Sequence, residues 1–194
     1  MEINKILPIL SIDIESGGCQ PSKHPLVAIG ICFWNNGLKE KKLFRFEFDY
    51  SKFEPRCVEE FWSKNMDKLE KFRSLPISNI KEFADYVDKL DEKYPNLTIL
   101  SDNPAYDIGF INYLYDTQLN RKPLQYKYDG KYRIIVDQNS YLWAMCPELA
   151  DPWIWDSKVT EKYNLSLTSV HEDSKESGIA SNSFICQIMM QNIF

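Results

Sequence analysis

The chain has 194 residues, of which 44% are hydrophobic and 26% are charged, and its formal net charge is -5 at pH 7. This length and composition predict a single folded domain over residues 1–194 and exclude a chain that is disordered by composition. The acidic balance excludes a protein that coats nucleic acid through a general positive field, because binding of that kind depends on a net positive surface.

The first third of the chain is predicted to form three strands. Residues 7–15 and 43–49 alternate between apolar and polar side chains, as half-buried strands do, and residues 26–34 form the continuous apolar run of a fully buried strand. Asn35-Asn36-Gly37 is a tight-turn sequence. The second and third strands are therefore predicted to pair as a hairpin.

Two apolar stripes with helical spacing follow. The first comprises Val58, Phe61, Trp62, Met66, Leu69 and Phe72, and the second comprises Ile80, Phe83, Ala84, Val87 and Leu90. Side chains that recur every three or four residues share one face of a helix. Each stripe therefore predicts helical structure with a buried apolar face.

Strands and helices alternate in the rest of the chain. The predicted elements are a strand over residues 97–100, a helix ending near Gln118, a strand over residues 134–136, a helix from residue 138 and a last helix over residues 175–192. Asp102 or Asn103 can cap the first of these helices, with Pro104 in its first turn. Three strands followed by this alternation predict an α/β fold with a mixed sheet.

Two carboxylates are predicted on one face at the end of the first strand. Side chains alternate between the faces of a strand, so Asp13 and Glu15 point the same way. Like charges at this spacing repel each other unless a cation lies between them. The bare backbone at Gly17 and Gly18 could then admit a ligand. A solvated strand end with two unrelated acids explains the pattern equally well.

Two further acidic segments lie far along the chain. Asp107 falls in the first turn of the helix predicted to begin near Asn103, where the helix dipole favours an acid for structural reasons alone. His171 precedes the last predicted helix, and Glu176 follows His171 by five residues. Taken alone, that segment is better explained as a polar loop followed by a capping acid.

Together these segments resemble the motifs of the DEDDh group of 3′-to-5′ exonucleases, which includes ribonuclease T and the proofreading exonucleases of replicases. Asp13 and Glu15 match the first motif. Asp107, with Asn103 four residues before it, matches the second motif, and His171 matches the third. The resemblance covers most of the chain and implies a ribonuclease H-like fold with a five-stranded mixed β-sheet flanked by α-helices.

The resemblance also implies hydrolysis of phosphodiester bonds from the 3′ ends of single-stranded RNA or DNA. Two divalent ions, Mg²⁺ or Mn²⁺, would lie about 4 Å apart and need oxygen ligands. The implied roles are metal binding by Asp13, Glu15, Asp107 and Glu176, general-base catalysis by His171, and substrate binding by the backbone of Ser16 and Gly17. A histidine suits this role because it titrates near neutral pH. A homodimer is compatible with the resemblance.

One position departs from the family pattern. The last ligand is usually an aspartate, and this chain has Glu176 there. The added methylene displaces the carboxylate, and Mg²⁺ demands near-ideal octahedral geometry. A nucleic-acid-binding domain of the same fold with impaired catalysis is therefore an alternative function. A ribonuclease H-like endonuclease or nucleotidyl transferase, which needs no histidine, is another.

A basic segment with interleaved tyrosines lies between residues 121 and 133. It contains Arg121, Lys122, Lys127, Lys131 and Arg133, with Tyr126, Tyr128 and Tyr132. Charge and stacking along such a segment can follow a single nucleic-acid strand. An exposed loop and hairpin accounts for the same composition.

Neither a zinc site nor a membrane span is predicted. The five cysteines are far apart, and no pair of them has zinc-finger spacing to a histidine, so we expect reduced thiols in a cytoplasmic protein. The apolar run over residues 26–34 has nine residues, whereas a membrane span needs roughly 18–20. Residues 1–10 lack the features of a signal peptide. His24 is expected in a surface loop.

Overall fold

The structure is a computed structural model that describes residues 8–35, 38–127, 129–137 and 140. Its strands are β1 (Ile9–Ser16), β2 (Leu26–Asn35), β3 (Leu38–Arg45), β4 (Thr98–Ser101) and β5 (Ile134–Asp137). Its helices are α1 (Pro55–Glu60), α2 (Met66–Ser74), α3 (Ile80–Lys93) and α4 (Pro104–Leu119). Single 3₁₀ turns lie at Tyr50–Lys52 and Trp62–Lys64. The helices predicted from residue 138 and over residues 175–192 fall outside the described residues.

The five strands form one mixed sheet in the order β3-β2-β1-β4-β5. β1 pairs antiparallel with β2, and β2 pairs antiparallel with β3. β4 pairs parallel with both β1 and β5. The predicted fold class, a five-stranded mixed sheet flanked by helices, is confirmed.

The hairpin is also confirmed, but the third strand lies earlier in the chain than predicted. β2 and β3 pair from Asn35 opposite Leu38 to Ala28 opposite Arg45. The prediction for residues 43–49 followed apolar alternation, whereas the strand includes a lysine-rich stretch at an edge of the sheet. Backbone pairing with β2 specifies this strand, and lysines are common on edge strands because they discourage pairing with other chains.

The first predicted helical stripe is divided between separate elements. The backbone departs from helical geometry at Phe61 (φ -123°, ψ -62°) and again at Asn65 (φ -131°, ψ 32°). Trp62 between them is fully buried, and its indole N–H donates to the Ser16 carbonyl over 2.9 Å. The break turns this ring toward the end of β1. Met66 is 38% exposed, so its place in a buried stripe was predicted wrongly.

The other two described helices follow their sequence patterns. All five residues of the second stripe are buried on α3, and the side chain of Asn79 caps that helix by accepting from the Glu82 N–H over 3.0 Å. Asn103 caps α4 by accepting from the Tyr106 N–H over 3.3 Å. α4 ends at Leu119, next to the predicted end, with Asn120 in the left-handed region (φ 49°).

Two clusters of buried side chains stabilise this arrangement. The larger one packs the apolar residues of β1, among them Leu10, Ile12 and Ile14, with those of α3 and α4. The smaller one joins β2 to the segment that holds Phe53 and Trp62. Burial of this much apolar surface is the dominant favourable contribution to folding. In the described part of the chain, none of the helices has the length and hydropathy that crossing a membrane requires.

Candidate active site

The topology brings the ends of two neighbouring strands to one edge of the sheet. β1 and β4 run parallel, with Ser11 paired to Leu100. Residues that follow β4 therefore emerge beside the carboxyl-terminal half of β1. Asp102 and Asp107 follow β4 at this edge, and Asp13 projects from β1.

Three aspartates converge at this edge. One carboxylate oxygen from each of Asp13, Asp102 and Asp107 lies within 4.8 Å of the others. Asp107 is buried, with 2% of its surface exposed, and the other two are half-buried. The Ser101 hydroxyl donates to Asp107 over 2.5 Å and fixes the orientation of its carboxyl group.

Burial and mutual repulsion make these carboxyls hard to ionise. Burial raises the pKa of Asp13 well above its usual value, and the charges of Glu15, Asp107 and Asp102 raise it further. Burial raises the pKa of Asp107 to about 8, and a hydrogen bond with Asp102 contributes. The pKa of Asp102 is also raised, chiefly by burial. A cation that replaced the protons would relieve this cost.

The donor set matches a hard divalent cation. Every candidate ligand in the aspartate cluster is a carboxylate oxygen, which suits Mg²⁺ or Mn²⁺. The cluster is partly shielded from solvent, so a bound cation would be attracted more strongly than at an open surface. The three aspartates could therefore hold a divalent metal ion.

Glu15 lies on the same face of β1 as Asp13 but outside the set of mutually close oxygens. Its pKa is raised to about 7 by burial, an effect that the positive charge of Lys68 opposes. Lys68 is buried on α2, with 5% of its surface exposed. Glu15 thus places a fourth carboxyl group beside the cluster and has a cationic neighbour of its own.

The backbone at Ser16 and Gly17 already has partners within the protein. The Gly17 N–H donates to the Pro25 carbonyl over 2.8 Å, and the Gly17 carbonyl accepts from the Glu54 N–H over 2.7 Å. A Cβ atom on Gly17 would lie 2.6 Å from the Phe53 ring. Gly17 is therefore required for packing, and the substrate role of Ser16 and Gly17 stays a prediction.

Tyr106 connects α4 to the end of β1. Its hydroxyl hydrogen-bonds the Ser16 hydroxyl over 2.5 Å and donates to the Gly18 carbonyl over 3.3 Å. Asp107 is the next residue on the same helical turn. This contact fixes the position of α4 relative to β1, and with it the spacing between Asp107 and Asp13.

The sequence motifs identified part of this cluster. The structure brings Asp13 and Asp107 together, whereas His171 and Glu176 lie outside the described residues, so the predicted roles of all four stay predictions. Asp102 was considered only as a helix cap, and the cap is Asn103 instead. The signal that could have revealed Asp102 is its position directly after β4, at the same sheet edge as Asp13.

The basic segment is largely paired with acids of α3. Arg121 makes a two-pronged contact with Asp88, with both distances 2.9 Å. Arg133 is buried and bonds Asp91, with its Nε at 2.7 Å. These pairs favour a structural role for Arg121 and Arg133 rather than nucleic-acid binding.

Fold and site together define a ribonuclease H-like domain with an acidic edge, and solved exonuclease structures share this fold. The RNase domain of the yeast Pop2 protein matches with a TM-score of 0.63 at 18% identity, over 94% of this chain and 77% of that one. E. coli exonuclease I in complex with a dT13 oligonucleotide matches with a TM-score of 0.61 at 13% identity, over 97% of this chain. A full-length 3′-exonuclease matches with a TM-score of 0.58 at 10% identity, over 96% of this chain and 83% of that one.

The chain spans 43% of the length of that exonuclease I structure. No protein-family model and no curated protein matches the chain. At identities of 10–18%, these structural matches over most of the chain establish a shared fold. The shared fold therefore does not by itself specify the activity or the substrate.

Proposed function

We propose that this protein is a metal-dependent exonuclease that shortens single-stranded RNA or DNA from the 3′ end. The observation that carries the proposal is the convergence of Asp13, Asp102 and Asp107 at the edge of a ribonuclease H-like sheet. The likeness to exonuclease structures supports it. The match with exonuclease I bound to dT13 supports a single-stranded substrate.

The aspartate cluster would hold the metal, with Glu15 and Glu176 as further ligands. Divalent ions held there would lower the pKa of the attacking water and stabilise the negative charge on the leaving oxygen. The protein contributes the positions of the carboxylates, which Ser101 and Tyr106 help to fix. His171 would act as the general base that takes the proton from the attacking water.

The chain's acidity is consistent with this function, because cations at the site would neutralise the substrate phosphates locally. We expect a single strand rather than a duplex, because a paired terminus would have to fray before its last nucleotide reached the aspartate cluster. The proposed substrate is therefore a free or frayed 3′ end.

The test is incubation with 5′-labelled RNA and DNA oligomers, first with Mg²⁺ and then with Mn²⁺. We expect a ladder of products that shorten from the 3′ end, and no cutting of a circular single strand. Asp107→Asn should abolish hydrolysis, whereas Asp116→Asn, an exposed aspartate on the same helix, should leave it unchanged. Cutting of the circle would instead indicate an endonuclease.

The third motif is tested with the same substrates. His171→Ala should slow hydrolysis by about 10²–10⁴-fold, the usual contribution of a general base. Normal turnover by His171→Ala would remove this residue from the mechanism. Glu176→Asp should raise activity with Mg²⁺ if the extra methylene of Glu176 moves its carboxylate out of the position that the ion requires.

The alternative of a binding domain with impaired catalysis makes a different prediction. Such a domain would bind the oligomers without cleaving them in the presence of either ion. Restoration of cleavage by Glu176→Asp would then identify the extra methylene as the cause.

A further inference from the structure

A second group of metal-binding side chains lies apart from the aspartates. Cys19, His24 and Glu54 each offer one ligand atom, and these atoms lie within 4.8 Å of one another. The His24 Nδ1 atom and the Glu54 Oε2 atom are 4.0 Å apart. We call these three residues the Cys19 cluster. They come from the loop after β1 and from the residue that precedes α1.

Backbone contacts hold the Cys19 cluster in place. The Gln20 carbonyl accepts from the N–H groups of Lys23 and His24, over 3.0 and 2.8 Å, and so closes a tight turn between two of the ligands. The Glu54 N–H donates to Gly17 over 2.7 Å, which ties the third ligand to the same loop. Main-chain hydrogen bonds therefore fix the backbone of the segments that carry the three ligands.

Gly18 creates the space that His24 occupies. A Cβ atom at this position would lie 2.4 Å from His24 Nδ1 and 2.7 Å from the Glu54 Cβ atom. Only glycine lets the imidazole lie this close to both the loop and Glu54. The close approach confines the ring and limits the entropy that ligand binding would cost.

Each member of the cluster can present a lone pair. His24 Nδ1 accepts from the Gln20 N–H over 3.1 Å and lies 4.0 Å from Glu54 Oε2, so this nitrogen faces the other members of the cluster. Glu54 Oε2 accepts from the Cys19 N–H over 3.2 Å, and this hydrogen bond lowers the pKa of the Glu54 carboxyl. Cys19 is exposed, so an ion from solvent can reach its sulfur atom.

The mixture of donors selects the class of ion. Thiolate and imidazole favour Zn²⁺, whereas Mg²⁺ and Mn²⁺ prefer oxygen ligands. Three protein ligands would leave one position of a tetrahedral zinc ion open. Cys19 and Glu54 line a cavity of about 280 Å³, together with Gly18, Cys57 and Tyr106, so water or another ligand could reach that position.

We propose that Cys19, His24 and Glu54 bind one Zn²⁺ ion at a site distinct from the aspartate cluster. Binding breaks the Cys19 S–H bond, forms a sulfur–zinc bond and releases the proton to solvent. The nitrogen–zinc bond replaces the hydrogen bond from Gln20. The thiolate and the Glu54 carboxylate together balance the charge of the ion.

The consequence is a cross-link between the loop after β1 and the start of α1. An ion that binds only the folded protein stabilises it by mass action. Zinc would therefore make this loop more rigid beside Ser16 and Tyr106. The three ligands do not have the spacing of a zinc finger, since the third lies 30 residues after His24 in the sequence.

The test uses the full chain after chelator treatment, in excess Mg²⁺ so that the aspartate cluster is saturated. Co²⁺ is added as a spectroscopic substitute for Zn²⁺. We expect a thiolate-to-cobalt charge-transfer band that saturates at one ion per chain and disappears when Zn²⁺ is added. Zn²⁺ should also raise the melting temperature.

Variants identify the ligands. Cys19→Ser should abolish the band, while His24→Gln and Glu54→Gln should each weaken zinc affinity by about tenfold or more. Cys57→Ser is the matched control, a thiol that lines the same cavity outside the cluster, and it should keep the band. A band that persists in Cys19→Ser, or that disappears in Cys57→Ser, would overturn the proposal.

The result is independent of the exonuclease proposal. Asp13→Asn combined with Asp107→Asn should keep the cobalt band in full. A protein that hydrolyses oligomers but shows no thiolate band would refute the zinc site alone. A protein that shows the band but cleaves nothing would refute the exonuclease function alone.

Discussion

Four acidic side chains at one edge of the sheet have raised pKa values, and burial is the largest cause in each case. They are Asp13, Glu15, Asp102 and Asp107. Carboxyls buried beside each other repel when ionised, so the metal-free protein favours their protonated forms. This property makes the stability of the site depend on both pH and metal.

The first prediction concerns how the stability of the metal-free protein changes with pH. A carboxyl whose folded-state pKa exceeds its unfolded value contributes stability at low pH and loses it as pH rises through the folded-state value. The pH window begins at roughly 4, the pKa of an unfolded carboxyl group. It ends at the folded-state pKa, which is about 7 for Glu15 and about 8 for Asp107. The melting temperature of the metal-free protein should therefore fall across this window, as measured by scanning fluorimetry with a chelator.

Added Mn²⁺ should reduce that fall, because the cation replaces the protons. Asp13→Asn combined with Asp107→Asn is the control, and it should flatten the pH profile without metal. About 1 kcal/mol corresponds to roughly 2–4 °C in a chain of this size, so a shift of several degrees is measurable. A wild-type profile as flat as that of the control would contradict the raised pKa values.

The second prediction concerns Asp102 as a metal ligand. Asp102→Asn keeps the size of the side chain but removes its charge, and should weaken Mn²⁺ binding by about 10–100-fold. Isothermal titration calorimetry measures this affinity directly. Asp116→Asn serves again as the control. Unchanged affinity in Asp102→Asn would confine the ligand role to Asp13 and Asp107 within the cluster.

At the scale of elements, the end of β1 is fixed by contacts from two directions. Trp62 donates to the Ser16 carbonyl, and Tyr106 on α4 contacts the Ser16 hydroxyl. Phe53 packs against Gly17 so closely that a side chain there would collide with its ring. Packing around one short segment therefore sets the position of the acidic residues just before it.

The third prediction compares two glycines. Gly17→Ala should destabilise the protein by about 1–3 kcal/mol, because its methyl group overpacks the contact with Phe53. Gly109 lies inside α4, where an added Cβ meets nothing within 4 Å. Gly109→Ala should therefore stabilise by up to about 1 kcal/mol through helix propensity. Urea denaturation measures both, and equal effects would disprove the packing argument.

At the scale of the whole molecule, a buried ion-pair network connects α3 to the segment that enters β5. Arg133 has 1% of its side chain exposed and bonds Asp91, which is 12% exposed. Arg133 also donates to the carbonyls of Leu124 and Tyr126. Because a buried charge without a partner is costly, this network specifies how the segment docks against α3.

The fourth prediction tests that network. Asp91→Asn should destabilise by about 3 kcal/mol, at the low end for a broken buried pair because Asp88 stays 3.6 Å from Arg133. Glu60→Gln is the control, since its pair with Arg56 is exposed to solvent and contributes little to stability. Denaturant midpoints that shift equally in the two variants would contradict a structural role for the network.

Much of the fold could be predicted from local patterns. The stripe over Ile80–Lys93 marks α3, and the turn sequence after Asn35 marks the hairpin. The third strand and the break at Phe61 could not be predicted in this way. Pairing with β2 specifies the lysine-rich edge strand, and a bond from Trp62 to a residue 46 positions earlier accompanies the break. Both depend on contacts that are distant in sequence.

The order of the amino acids established which chemistry this protein can offer: paired carboxylates on the face of a strand and an aspartate at the start of a helix. Only the tertiary structure brought Asp102 into that group and placed Cys19, His24 and Glu54 together. The physical reason is that ligand sets form between residues whose separation in space depends on strand order and loop packing. Local periodicity reports the burial of one element at a time and carries no information about that separation.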